Sequence, residues 1–421
     1  MINSRLKADL IHVSQYGRNP VHKVSEYHQL TPYNGVNRVT GSLANKEIRD
    51  YAIDCLKECG LKLTIDPFGN IFGRKEGTEK NKGSVMSGSH LDNVINGGQF
   101  DGTLGVFGAI EAIRRLNKEN FQNKRPLEVA IFTGEEGSAF GKTLLGSSAY
   151  IGYTEAEEAL QIKNKQAISL KDTLKNIGYQ GKIRKNVEDI DYFIELHIEQ
   201  GPVLYQEKIP IGIVESINGI LWIYITIKGK SNHAGTTPMN MRKDALLAAS
   251  GIVQFINSES VKLSKTPGSA TVGTVGQLNV SPNAINTIPG IVELGIDIRD
   301  KKIENINLTK EKLLKMIGQL KDGLKLKIDY NIATFLPPQP LSQEVMEIIR
   351  ESAQTIGVKY KFMNSGATHD AQNMARITKT GMIFLPSVNG ISHSPLEWTN
   401  WDDIEKGARV LTNTLKLLSN K

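Results

Sequence analysis

A single interruption in the alternation of helices and strands constrains the fold most. Up to about residue 216, short apolar runs alternate with amphipathic stretches, which is typical of an α/β sheet with helices on both faces. The order then changes to strand–helix–strand–strand–helix–strand, from ILWIYITIKG to LKIDYNIA. The proline-rich FLPPQPL (residues 335–341) predicts a linker, after which the α/β pattern resumes. We therefore predict one α/β domain over residues 1–215 and 333–421, with a smaller α+β domain inserted over residues 216–332.

Composition and charge exclude several classes of protein. No apolar run reaches the roughly 18 residues that span a bilayer. The N-terminal MINSRLKADLIHVSQYG predicts an amphipathic helix without the apolar region of a secretory signal, so we expect a cytoplasmic protein without a membrane partner. The net charge is +7, but the lysines are mixed with acids and lack interleaved aromatic residues, so we expect no nucleic-acid partner.

Histidines and acids occur where several predicted strands end. His90 closes VMSGSH, Glu135 and Glu136 close LEVAIFTGEE, and His197 lies near the end of YFIELHIEQG. Asp101 follows His90 after a glycine-rich turn. Because an open α/β sheet binds its ligands at the carboxyl ends of its strands, we expect these side chains to lie together.

These residue types suit a site for two metal ions that share a carboxylate. Two ions about 3.5–4 Å apart can lower the pKa of a water molecule and polarise a carbonyl group. A carboxylate that is not a ligand must then carry the proton, so one of Glu135 and Glu136 would be a ligand and the other the base. We expect Asp92 to support the site by accepting the second ring N–H of His90. Mixed nitrogen and oxygen ligands fit zinc, manganese, cobalt or nickel.

Eight segments, spread over about residues 85–395, resemble the hydantoinase/carbamoylase family of di-metal amidases and peptidases. They are GSHLDNVINGGQFDGTLGV, TGEEGSAFG, ELHIEQGPVL, SNHAGTTPM, NTIPG, DIRD, SGATHDAQ and GISHSP. The resemblance implies a catalytic domain like that of di-metal aminopeptidases. It also implies that the inserted domain is ferredoxin-like, closes over the site as a lid and forms a homodimer.

The same resemblance implies a role for each candidate residue of the metal centre. Asp101 would bridge the two ions and Glu135 would be the general acid and base. The other implied ligands are His90 and His197 at one ion, and Glu136 and His393 at the other.

The residues that the resemblance assigns to the substrate pocket are Gln200, His233, Asn286, Arg299, Gly366 and His369. Arg299 would bind the substrate carboxylate through its planar guanidinium. His233 and Asn286 would stabilise the developing oxyanion and would act across the dimer interface. Thr368 departs from the glycine that the family commonly has, so the shape of this part of the pocket stays open.

The implied reaction is hydrolysis of the ureido C–N bond of an N-carbamoyl-L-amino acid, which gives the amino acid, CO2 and ammonia. Allantoate is the alternative substrate, since ELHIEQG and NHAGTTPM are common to both kinds of enzyme. An exopeptidase is disfavoured because its ligand at the position of His197 is usually acidic. A non-catalytic metal-binding scaffold is disfavoured because Glu135 and every implied ligand are present.

Overall fold

The structure is a computed structural model that describes residues 5–79 and 81–421. The helices over these residues are α1 Arg5–Val13, α2 Leu43–Glu58, α3 Thr103–Lys118, α4 Leu145–Tyr150, α5 Ala156–Gln161, α6 Leu170–Asn176, α7 Val203–Glu207, α8 Ala245–Ser264, α9 Ile303–Leu324, α10 Gln343–Thr355, α11 Asp370–Met374 and α12 Trp401–Ser419. The strands are β1 Lys62–Ile65, β2 Ile71–Lys75, β3 Ser84–His90, β4 Leu127–Phe132, β5 Ile190–Ile198, β6 Ile211–Ile217, β7 Gly219–Lys228, β8 Asn232–His233, β9 Val272–Ser281, β10 Thr287–Ile288, β11 Ile291–Asp300, β12 Lys327–Leu336, β13 Gln339–Pro340, β14 Tyr360–Ser365 and β15 Lys379–Leu385.

The chain forms two compact units, one from residues 1–215 with 340–421 and the other from residues 216–339. The larger unit is built on a nine-stranded sheet in the order β1-β2-β4-β3-β5-β15-β6-β13, with β14 beside β6. Its neighbours β4, β3, β5 and β15 run parallel. Both β3 and β4 are buried along their whole length, as expected for parallel strands covered on both faces. The predicted α/β fold is therefore confirmed.

Helix α12 shows how the sequence produces this packing. Ile404, Ala408, Leu411, Leu415 and Leu418 recur every three or four residues and are all buried, so they form one apolar stripe. This stripe belongs to the core of the larger unit, where α12 packs against α3, α10 and β15. Burying each leucine side chain contributes roughly 2 kcal/mol. The helices thus hold the parallel strands, and their carboxyl ends, in a fixed arrangement.

The inserted unit is a four-stranded antiparallel sheet in the order β12-β7-β11-β9, with α8 and α9 in its core. Along β7, Ile223 and Ile225 are buried against these helices, whereas the alternating Trp222 and Tyr224 are partly exposed. One sheet face therefore carries the core and the opposite face carries more accessible side chains. The βαββαβ order with this strand arrangement confirms the expected smaller α+β, ferredoxin-like unit.

One segment differs from the prediction. Residues 335–341 were expected to be a linker, but β12 continues to Leu336 and Gln339–Pro340 form β13 at the edge of the large sheet. An edge strand tolerates proline because its missing N–H need not join a ladder. The expected N-terminal helix begins at Arg5, and residues 1–4 of that prediction lie outside the described residues. Among the described helices, none has both the length and the apolar character needed to cross a bilayer.

Candidate metal centre and substrate-binding residues

Asp101 lies at the centre of the predicted ligands, at the carboxyl ends of the parallel strands. Its Oδ1 is 3.2 Å from His197 Nε2 and 3.5 Å from His90 Nε2. Its Oδ2 is 3.4 Å from His393 Nε2, which is itself 3.3 Å from Glu136 Oε2. The structure therefore brings together the five side chains that the sequence analysis predicted as metal ligands.

The ligand atoms form two groups that share Asp101. His90, Asp101 and His197 make one group and Asp101, Glu136 and His393 the other, each with its atoms within 4.8 Å of one another. The first group is buried, whereas the side chain of His393 is 49% exposed. Glu136 Oε1 is buried without a hydrogen-bond partner, which is unfavourable for a polar atom. A cation bound at this oxygen would provide the missing interaction. This donor set fits a pair of divalent ions bridged by one carboxylate.

Main-chain carbonyl groups orient the buried imidazoles. The Nδ1 atoms of His90 and His197 lie 2.9 Å from the carbonyl oxygens of Asp92 and Ile198, so each Nδ1 carries a hydrogen and each Nε2 faces Asp101. The predicted acceptor for His90 was the Asp92 carboxylate, and this was wrong. That carboxylate is 3.9 Å from Nδ1 because it is bound elsewhere.

The Asp92 carboxylate accepts three successive backbone N–H groups after β4. Its oxygens lie 3.1 Å from Gly134 N, 3.3 Å from Glu135 N and 3.4 Å from Glu136 N. Gly134 has a positive φ of 69°, which glycine adopts without strain. Asp92 therefore positions the turn that carries both glutamates, and does not act through the His90 ring.

The two adjacent glutamates occupy different places. Glu136 belongs to a group of ligand atoms, whereas Glu135 is in neither group that contains Asp101. Glu135 Oε2 lies 3.7 Å from His90 Nε2, beside the centre. This arrangement supports Glu136 as the ligand and Glu135 as the group left to move a proton.

The electrostatics of the centre are those of a cation site. Burial raises the pKa of Glu135 well above its usual range and raises that of Glu136 to about 8. The hydrogen bond with Asp101 raises the pKa of His393 to about 9. The pKa of Asp101 falls well below its usual range, because hydrogen bonds from three histidines outweigh its burial. Several acids are thus buried close together, where their negative charges repel one another. Bound divalent ions would supply the positive charge that stabilises them.

Glu397 is a part of the site that the sequence analysis missed. It is fully buried, and its Oε1 accepts the backbone N–H of Phe100 at 2.9 Å and of Asp101 at 3.1 Å. The hydroxyl of Ser392 lies 2.9 Å from Glu397 Oε2 and 3.2 Å from Asp101 Oδ2. A Cβ at Gly98 would come within 2.0 Å of the Glu397 carboxyl carbon, so only glycine leaves room there. The available signal was an acid four residues after a predicted ligand, in SHSPLEW.

Glu195 is a second missed residue. It shares a face of β5 with His197, since side chains alternate along a strand. Its Oε1 accepts the Ser89 hydroxyl at 2.6 Å and its Oε2 accepts the N–H of Ala371 at 2.8 Å. Glu195 thereby links β3, β5 and α11 beneath the centre.

The loop SGATHD brings His369 to the centre but buries it. His369 is 1% exposed, its Nε2 lies 2.8 Å from Ser365 Oγ, and its ring is 4.5 Å from that of His197. With Glu195 and His197 it forms a third group of potential ligand atoms. A Cβ at Gly366 would meet nothing within 4 Å, so space is open at that position.

Gln200 reaches the centre directly. Its side-chain Nε2 donates to Asp101 Oδ2 at 2.8 Å, and its Oε1 is buried without a partner. Both Gln200 and His393 adopt positive φ, 59° and 53°. For a residue other than glycine, a positive-φ conformation raises the free energy of the folded state by of the order of 1–3 kcal/mol. Residues in this conformation are concentrated at functional sites.

In the inserted unit, His233 is the last residue of β8 and Asn286 immediately precedes β10, the strand that pairs with β8. The carbonyl oxygen of Asn286 accepts the N–H of Ala234 at 3.0 Å. The N–H groups of Gly235 and Thr236 point to His233 Nδ1, at 2.9 and 3.2 Å, so the ring hydrogen is on Nε2. An exposed imidazole that presents Nε2–H can donate to an oxyanion, as the resemblance implies.

Arg299 binds a carboxylate of its own strand. Its Nε and Nη2 donate to the Asp297 carboxylate at 3.0 and 2.8 Å. The two residues are separated by one position on β11 and therefore share a face of the sheet. The guanidinium is thus held in a defined plane, the geometry that carboxylate recognition requires.

Comparison with known proteins identifies the family of this chain. The sequence model of the family described as peptidase family M20/M25/M40 matches residues 86–417. The chain belongs to this family. As an M20/M25/M40 family member with named amidohydrolase relatives, it is a hydrolase acting on non-peptide C–N bonds.

Three curated relatives show the breadth of the family. The N-carbamoyl-L-amino-acid amidohydrolase of Paenarthrobacter aurescens is 36% identical over 388 residues, covering 91% of this chain and 93% of the relative. The ureidoglycolate hydrolase of Arabidopsis thaliana is 35% identical, with 96% and 86% covered. The allantoate amidohydrolase of Escherichia coli is 34% identical, with 92% and 94% covered.

Two solved structures show the same fold. An amidase of the hydantoinase/carbamoylase family from Burkholderia multivorans superposes with a TM-score of 0.88 at 33% identity, covering 99% of this chain and 98% of that chain. The aminopeptidase PepT from Bacillus cereus superposes with a TM-score of 0.66 at 15% identity, covering 98% and 97%, which concerns the fold alone. The expected likeness to hydantoinase/carbamoylase enzymes is confirmed.

Proposed function

We propose that this M20/M25/M40 family member hydrolyses the ureido C–N bond of an N-carbamoyl-L-amino acid with two divalent metal ions. The observation that carries the proposal is the pair of Asp101 oxygens, each of which faces a different group of ligand atoms. The curated relatives from Paenarthrobacter aurescens, a Pseudomonas strain and Geobacillus stearothermophilus carry the name of this activity.

The proposed ligands are His90, Asp101, Glu136, His197 and His393. Ions bound there would polarise the ureido carbonyl and lower the pKa of the attacking water. Glu135 would accept a proton from that water and deliver it to the leaving nitrogen. The reaction consumes one water and releases the amino acid and carbamic acid, which breaks down to CO2 and ammonia.

Residues of the inserted unit would bind and polarise the substrate. The Arg299 guanidinium would bind the α-carboxylate, and His233 Nε2–H with Asn286 would donate to the developing oxyanion. Gln200 would orient the ureido group, because its amide already lies 2.8 Å from Asp101. The resemblance also assigns Gly366 and His369 to substrate binding.

The proposal extends to the identity of the metal ions, the role of the inserted unit and the location of the protein. Zinc, manganese, cobalt and nickel all suit the nitrogen and oxygen donors, and we propose that the two ions are drawn from these metals. We further propose that the inserted unit acts as a lid and forms a homodimer, and that the protein is cytoplasmic.

Allantoate is the second candidate substrate. The allantoate amidohydrolase of Escherichia coli is 34% identical to this chain, close to the 36% of the carbamoylase from Paenarthrobacter aurescens. Thr368 stands in the loop that carries His369, where it can change the pocket.

Ammonia release by the manganese-loaded protein tests the proposal. A panel of N-carbamoyl-L-amino acids is compared with allantoate, with a chelator-treated sample as control. Turnover of the carbamoyl amino acids alone supports the proposal, and turnover of allantoate alone replaces it with the second candidate. Inactivity on both, with metal bound, contradicts ureido hydrolysis.

A further inference from the structure

A cavity lies on the sheet face of the inserted unit opposite α8 and α9. Its volume is about 330 Å³, and its lining includes Trp222, Tyr224, Gln277, Gly276, Gly295 and Asp297. We call it the sheet cavity. All of these residues belong to β7, β9 and β11 of the same antiparallel sheet.

The strand register places the sheet cavity next to Arg299. Trp222 is paired with Asp297 across β7 and β11, and Tyr224 is paired with Gly295. Asp297 lines the cavity and its carboxylate accepts two hydrogen bonds from the Arg299 guanidinium. The aromatic side chains and the cation are therefore neighbours on one face of the sheet.

Two glycines keep the cavity open. A Cβ at Gly295 would come 3.0 Å from Gln277 Cβ and 3.3 Å from Tyr224 Cε1. The β9–β11 register shifts next to Gly295, and Gly276 is the extra residue of the resulting bulge. A Cβ at Gly276 would meet nothing within 4 Å. Larger residues at these positions would occupy the space between the aromatic side chains and β9.

We propose that the sheet cavity receives the side chain of the substrate and that this side chain is aromatic or large and aliphatic. The inference rests on the proposed function, in which Arg299 binds the α-carboxylate. The carboxylate and the side chain leave the same carbon atom, so a carboxylate bound at Arg299 puts the side chain close to that residue.

The chemistry of the cavity favours an apolar side chain over a second ureido group. Trp222 and Tyr224 present ring surfaces, which gain most from contact with aromatic or aliphatic groups. The 330 Å³ volume accommodates a large side chain, whereas the second ureido group of allantoate is small and would leave much of the ring surface in contact with water. The Asp297 carboxylate already accepts hydrogen bonds from Arg299, so it is less available as an acceptor for the N–H groups of a second ureido group.

The test compares kcat/KM for N-carbamoyl-L-phenylalanine with that for N-carbamoylglycine, which has no side chain. We expect the manganese-loaded protein to favour the phenylalanine compound by at least about tenfold, and Trp222→Ala to reduce this ratio by about tenfold. Gly276→Leu should reduce the ratio similarly by filling the cavity. Gly318→Leu is the matched control, because a Cβ at Gly318 of α9 also meets nothing within 4 Å, and it should leave the ratio unchanged.

A binding measurement gives a second readout. Trp222 is one of three tryptophans and the only one in the inserted unit. In the metal-loaded Glu135→Gln protein, N-carbamoyl-L-phenylalanine should change tryptophan fluorescence, and the additional Trp222→Phe substitution should abolish most of that change. A change that survives Trp222→Phe would overturn the inference.

The failures of the two proposals are distinguishable. Turnover of N-carbamoyl amino acids without side-chain preference, or with an unchanged ratio in both cavity variants, overturns the sheet-cavity inference and leaves the proposed function standing. Absence of turnover on every ureido substrate, with metal bound, overturns the proposed function and this inference with it.

Discussion

The carboxylate of Glu397 accepts the backbone N–H of Asp101 across 296 positions of sequence, at 3.1 Å. The same oxygen accepts the N–H of Phe100, and the other oxygen lies 2.9 Å from Ser392 Oγ. Glu397 therefore joins the turn that carries the shared carboxylate to the segment that carries His393. This one buried side chain therefore contacts the segments that carry Asp101 and His393, one from each side of the candidate metal centre.

Glu397→Ala should weaken metal binding without removing any ligand. Loss of a supporting partner of this kind costs about 10–100-fold in metal affinity. Titration with manganese in the presence of a competing chelator measures the change. Glu347→Ala is the control, because Glu347 forms an exposed ion pair with Arg350. Equal affinity in both variants would show that Glu397 does not position the centre.

Glu135→Gln should separate proton transfer from metal binding. Glu135 lies beside the centre and outside both groups that contain Asp101, so we expect metal content to be unchanged. We expect kcat to fall by about 10²–10⁴-fold, the contribution of general acid–base catalysis. Metal analysis and ammonia release are measured on one preparation. A normal kcat would assign the proton transfer to another group.

Arg299→Ala should raise KM far more than it changes metal content. Hydrogen bonds to a charged group contribute about 1.5–3 kcal/mol, so we expect KM to rise roughly 10–100-fold. Arg350→Ala removes an exposed arginine as the control. An unchanged KM in Arg299→Ala would mean that the substrate carboxylate is bound by another residue.

Chelation should remove the two ions in separate steps. His90 and His197 are buried, whereas the side chain of His393 is 49% exposed. We expect the ion at Glu136 and His393 to leave first, because solvent reaches its ligand directly. His393→Ala should therefore retain about one ion per chain. Loss of both ions in a single phase from the unmodified protein would contradict this order.

Glu344→Gln should reduce stability in a pH-dependent way. Hydrogen bonds from Lys379, then Lys421, lower the pKa of Glu344 to about 2, below the usual value of about 4.3. A lowered native pKa stabilises the fold above the unfolded pKa, and this contribution is lost as pH falls from about 5 to 2. Because Glu344 and its two lysine partners are partly exposed, we expect these interactions to contribute at most about 1 kcal/mol to the free energy of unfolding at pH 7.

Thermal unfolding of chelator-treated Glu344→Gln and unmodified protein at pH 7, 5 and 3 checks this expectation. Chelation in both samples removes any effect of metal release at low pH. The difference between the two melting temperatures should shrink steadily toward acid. A difference that grows toward acid would contradict the sign of the linkage.

The grouping of the proposed metal ligands was predictable because the signals of these residues are local. His90, Glu136 and His197 lie at or just after apolar strands, and the parallel arrangement brings those ends together. The role of Glu397 has only a weak local signal, an acid four residues after His393, because the N–H groups of Phe100 and Asp101 that it accepts are nearly 300 positions away. The Asp92 carboxylate was misassigned because spacing alone does not distinguish a ring N–H from three backbone N–H groups as its donors.

The position of the inserted unit has a consequence for synthesis of the protein. The strand β15, which lies beside β5 in the large sheet, and the proposed ligand His393 both follow residues 216–339 in the sequence. As the chain leaves the ribosome, the entire inserted unit emerges while the large sheet still lacks this strand and the centre still lacks a ligand. The larger unit, and with it the full set of proposed ligands, is therefore completed late in the synthesis of the chain.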